Sequence, residues 1–76
     1  MHYTIMSTRD EQSDQSIDLN AVGDKFLLYF TSYGEDRVVE SKYFNTLNDA
    51  IRVYMRFVDA FARGDYSAKD RASWLA

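Results

Sequence analysis

Cysteine and proline are both missing from this 76-residue chain, and there are only three glycines. Without cysteine there is no disulfide, no thiolate zinc site and no cysteine nucleophile. No stretch approaches the roughly 18 consecutive apolar residues that a membrane span needs. The first residues carry no basic patch followed by an apolar run, so a signal peptide is not expected either. A chain without cysteine fits the reducing cytoplasm, which is the expected location. The scarcity of proline and glycine also speaks against a disordered chain.

The same poverty extends to catalytic groups. His2 is the single histidine, and a base or metal ligand needs companions that this sequence does not have. Gly23, Gly34 and Gly64 stand apart, so no phosphate-cradling loop can be drawn through them. No serine sits in a nucleophile elbow. Carboxylates are plentiful, but a working acid pair needs a cleft, and one small core leaves little volume for it. The run containing Asp10, Glu11, Asp14 and Asp18 lacks the central glycine and closing glutamate of a calcium loop. The expectation is a non-enzymatic protein with no cofactor and no metal.

Aromatics, by contrast, are abundant, with five Phe, six Tyr and one Trp. A domain of this length buries only about 60% of the surface its unfolded chain exposes. Dense aromatic packing, or a surface kept for another protein, is how such a chain compensates. The net charge of −3 is uneven. Residues 1–24 hold five acids against Arg9, giving −4, and residues 25–76 hold seven acids against eight bases, giving +1. A general nucleic-acid binder shows the opposite sign, so direct contact with nucleic acid is not expected.

Alternating residues His2–Met6 predict a short strand, and the polar run Ser7–Gln15 reads as a mobile loop. Ile17, Leu19 and Ala21 predict a brief second strand before the turn at Gly23-Asp24. Residues 25–33 form the strongest strand, with Phe26, Leu28 and Phe30 on one side and Leu27, Tyr29 and Tyr33 on the other. Such a strand belongs in the middle of its sheet. Gly34-Glu35-Asp36 supplies turn chemistry, and Arg37–Phe44 returns as its hairpin partner. Thr46 is placed to cap a helix over 47–63, with Gly64 as its left-handed stop. Ser67 to Asp70 repeats the capping pattern ahead of a short terminal helix. The fold class is therefore α+β: one domain over residues 1–76, with an antiparallel sheet of two to four strands built on the hairpin 25–44. The sheet packs on the long helix, and residues 7–24 form an acidic, partly mobile segment.

Around the long helix, Asn48, Arg52, Arg56, Asp59 and Arg63 fall on one polar stripe, read as an exposed face with Asp59 paired to Arg56 and Arg63. Val53, Met55 and Ala60 lie outside the main apolar seam. Either the chain's own ends wrap that surface or another chain does, which makes a homodimer one expectation. Tyr29, Tyr33 and Tyr43 read as core or as a protein-contact patch, since the lysines and glycine-aromatic signature of sheet-based RNA readers are missing.

This combination of aromatic hairpin, capped helix and acidic flank resembles small proteins of phages and mobile elements, the anti-CRISPR proteins among them. The likeness covers the whole chain in size and style, and it carries over no functional residue. It implies an inhibitor that acts in the host cytoplasm by occupying the nucleic-acid-binding surface of a defence complex. A basic protein partner would meet Asp10, Glu11, Asp14 and Asp18, with Tyr33, Tyr43 and Trp74 as apolar anchors. The alternative is a homodimeric regulatory or structural protein.

Overall fold

The computed structural model describes residues 2–34, 37–64 and 67–76. Four strands follow one another and lie side by side in chain order: β1 (His2–Asp10), β2 (Gln15–Val22), β3 (Lys25–Ser32) and β4 (Val38–Phe44). All three pairings are antiparallel. Helix α1 (Leu47–Arg63) packs across one face, and α2 (Ala68–Ala72) with a 3₁₀ turn (Ser73–Leu75) closes the chain. This is the α+β architecture expected from the sequence.

The turns explain the register. Gly23-Asp24 is a two-residue connection between the paired Val22 and Lys25. Gly23 adopts φ 62° there, a left-handed conformation that glycine enters without a Cβ penalty. Glu11 to Asp14 form the turn between β1 and β2, with Asp14 at φ 56°, a conformation that aspartate tolerates better than most residues. Glu35 and Asp36, part of the third predicted turn, lie outside the described residues.

Phe26, Leu28 and Phe30 of β3 turn toward the helix, as do Ile17 and Leu19 of β2, and all but Phe26 are fully enclosed. From α1 come Ala50, Tyr54, Phe57 and Phe61, and from the C-terminal segment Ala72 and Leu75. Phe57 is the hub. Its ring lies 5.2 Å from Phe30 and 4.9 Å from Trp74, distances at which tilted and edge-on aromatic pairs attract.

The polar run 7–15 departs from its expected loop. Ser7 to Asp10 complete β1 and Gln15 opens β2, with Ser7 opposite Asp18 and Asp10 opposite Gln15. Their polar side chains find partners across the hairpin or beneath it. The Thr8 hydroxyl bonds that of Tyr54 on α1. Of the apolar residues of α1 outside its main seam, Ala60 is enclosed and Val53 half-buried against the core, while Met55 remains 42% exposed.

Both capping patterns form. The Thr46 hydroxyl accepts the Asp49 amide, and that of Ser67 accepts the Asp70 amide. Gly64 ends α1 at φ 67° and donates its amide to the Ala60 carbonyl.

Candidate functional site

Strand alternation gives the sheet a second face, on the side away from α1. β3 contributes Leu27, Tyr29 and Thr31, flanked by Asn20, Asp18 and Ser16 of β2 and by Tyr43, Ser41 and Val39 of β4. No helix covers this face among the described residues. Tyr29 is 39% exposed, Val39 44% and Tyr43 58%.

The face is chemically divided. On the β1–β2 side, polar groups satisfy each other: Thr4 donates to the Asn20 side-chain carbonyl, and Ser7 donates to the Asp18 carboxylate. On the β3–β4 side, Leu27, Tyr29, Val39 and Tyr43 form an apolar patch with water-facing phenols. At one end Tyr33 closes over the sheet. Its amide bonds the Asp14 carbonyl at 2.9 Å, its hydroxyl lies 3.3 Å from Ser16 Oγ, and the Arg9 guanidinium stacks 4.9 Å above its ring. Ser16 and Thr31, paired at this end, are buried on an otherwise open face.

The sequence-derived contact residues do not converge on one spot. Tyr33, Tyr43 and Asp18 belong to the open face, at different places along it. Glu11 and Asp14 sit at the β1–β2 turn, where Asp14 meets the Tyr33 amide and forms an ion pair with Arg9. Asp10 instead turns inward, where it accepts from Ser13 and lies 3.7 Å from Arg71. Trp74 lies on the helix side, half-buried, with its ring against Phe57 and the Arg56 guanidinium 4.1 Å above it. Arg56 thus leaves Asp59 for an aromatic face, contrary to the predicted pairing, although the whole polar stripe is exposed as expected.

Sequence reasoning missed Arg71. Its side chain is fully buried. The guanidinium donates to the Gln15 side-chain carbonyl, to Ser13 Oγ at 3.2 Å and to the Ala60 carbonyl at 2.9 Å, and it lies 4.7 Å from the Phe61 ring. It ties the β1–β2 turn, the end of α1 and α2 together. A capped helix containing Lys69-Asp70-Arg71 reads as solvated, so only its spacing from Leu75 (i, i+4) hinted at an inward face.

Among the described residues no cavity opens in the protein, and no three His, Asp or Glu side chains come together as a metal cage. No described helix is long and apolar enough to cross a membrane. What the geometry offers is a surface: an uncovered strand face, half apolar and half hydrogen-bonded. No family model, curated protein or solved structure matches this chain.

Proposed function

We propose that this chain is a non-catalytic binding domain that docks on another protein through the open face of its sheet. The observation that carries the reading is the cluster of Tyr29, Val39 and Tyr43, each more than a third exposed on a face that no element covers among the described residues. Tyrosines contribute large contact area with little conformational entropy to lose, and their hydroxyls tolerate a half-wet boundary. Patches of this kind serve as anchors around which weaker polar contacts exclude water.

The partner class follows from charge. Asp18 lies beside Tyr29, and Glu11 and Asp14 rim the Tyr33 end. Carboxylates set around aromatic anchors suit a basic, nucleic-acid-binding host complex, whose lining they would meet in place of phosphates. The chain then acts as an inhibitor that occludes that lining, in the manner the resemblance to anti-CRISPR proteins implies. Asp10 and Trp74 support the fold in this reading, and Tyr29 joins the docking set.

The test is affinity capture from host extract with the intact chain and with a Tyr29→Ser/Tyr43→Ser variant, at low and high salt. Losing two anchors of this kind weakens binding by about 2 kcal/mol or more, about thirtyfold or more. Carboxylate steering predicts further loss as salt screens the contact. A Met55→Ser control alters the opposite side and retains capture. Equal retention by the double variant would remove the open face from the account.

A further inference from the structure

The outer edge of β4 carries a pattern that is complementary to itself. The two-residue turn at Gly23-Asp24 makes Val22 and Lys25 a hydrogen-bonded pair, and alternation along antiparallel strands fixes every pair after it. Leu27, Tyr29 and Thr31 then direct their backbone groups to β2, and Phe26, Leu28, Phe30 and Ser32 direct theirs to β4. The partners of the latter are Phe44, Lys42, Glu40 and Val38. Val39, Ser41 and Tyr43 are left with three N–H and three C=O groups that point outward from the sheet. Among the described residues none of these groups has a backbone partner.

We propose that this edge pairs with the β4 edge of a second copy, antiparallel about a two-fold axis through Ser41. In that register Ser41 faces Ser41 of the second copy, and Val39 faces its Tyr43, so all the outward groups meet complementary ones. Glu40 falls opposite Lys42 of the second copy, and by symmetry the same ion pair forms again. Val38 falls opposite Phe44. Glu40 makes no ion pair within its own chain among the described residues, and Lys42 lies 5.5 Å from its neighbour Phe44. Tyr43 and Val39, both well exposed in the single chain, become a cross-strand aromatic–β-branched pair.

The two edges of the sheet differ in a way that favours β4. β1 carries a register break between Thr4 and Met6, a bulge of the type that discourages edge pairing. β4 pairs with β3 without interruption from Val38 to Phe44 and has no proline. Its lone lysine would ordinarily protect an edge, but Glu40 two residues earlier turns it into a matching charge. The result is a continuous eight-stranded sheet with the apolar halves of the two open faces side by side. This inference depends on the edge alone and stands or falls independently of any partner on the face.

Sedimentation velocity across micromolar to millimolar concentrations, with circular dichroism as the folding control, tests it. The intact chain shows a reversible monomer–dimer equilibrium. Ser41→Pro removes an N–H that faces solvent in the single chain, so the monomer keeps its fold while Kd rises at least about tenfold. Glu40→Lys and Lys42→Glu each place like charges opposite one another and weaken self-pairing. An equimolar mixture of the two aligns opposite charges throughout and dimerises more tightly than either alone. A chain monomeric at millimolar concentration, a dimer indifferent to Ser41→Pro, or a mixture no tighter than its components overturns the proposal.

Discussion

Arg71 carries a charge that it cannot shed, since a guanidinium stays protonated at any pH a protein survives. Buried as it is, that charge has to be met by oxygens, and Gln15, Ser13, Ala60 and, at longer range, Asp10 surround it. Arg71→Ala would strip all of these at once and leave a void against Phe61. The expected cost is about 3 kcal/mol, which in a domain of this size lowers Tm by about 15 °C. Arg71→Lys should recover little, because an ammonium cannot span acceptors on three segments. Asp10→Asn should cost less, about 1 kcal/mol, since its contact is the longest of the set. Urea denaturation of the three variants checks this order; an Asp10→Asn loss as large as that of Arg71→Ala would show that the carboxylate alone balances the charge. The placement also bears on partner studies: a binding defect from Asp10→Lys would report on folding, whereas Glu11 and Asp18 test docking more cleanly.

At the scale of elements, α1 is delimited by two inexpensive devices whose removal should be measurable. Thr46→Ala deletes the N-cap acceptor for the Asp49 amide and is expected to cost about 1 kcal/mol. Gly64 has open space around the position a Cβ would take, so Gly64→Ala suffers from its positive φ and not from a clash. That cost is about 1 kcal/mol, and Gly64→Asn should lose less, asparagine being at home in the left-handed region. Thermal unfolding of the three distinguishes these effects. Such local chemistry is also what made α1, the β2–β3 turn and both caps readable from residues alone. Ser7 to Asp10 were not readable, because an edge strand with hydroxyl and carboxylate side chains has the composition of a loop until its partner Gln15–Asp18 is known. The open face was half legible. Alternation separated Tyr29 from Leu28, but only the arrangement of α1 decides which side is covered. Arg71 was invisible for the same reason, since its side-chain acceptors Gln15 and Ser13 lie 56 and 58 positions away.

For the molecule as a whole, the two faces of the sheet should respond very differently to truncation. Phe30→Ala opens a hole beside Phe57 and is expected to cost about 3–5 kcal/mol, close to the entire stability of a small domain. Tyr43→Thr, on the open face, should change stability by no more than about 0.5 kcal/mol. Chemical denaturation of both compares them directly; a large loss at Tyr43 would mean that the phenol is part of the fold and not of a contact surface. One further consequence comes from the guanidinium that joins the first hairpin to α2. A five-residue helix has no persistence of its own, and here it is held by Ala72, Leu75 and Trp74 against the core and, through Arg71, by contacts to the opposite end of the chain. Release of the C-terminal segment therefore strips the β1–β2 turn of the guanidinium that Asp10, Ser13 and Gln15 share. Native-state hydrogen exchange should accordingly give the Arg71 amide, bonded to Ser67, the same opening free energy as amides of β1 and β2, so that the two termini of the chain breathe as a single cooperative unit.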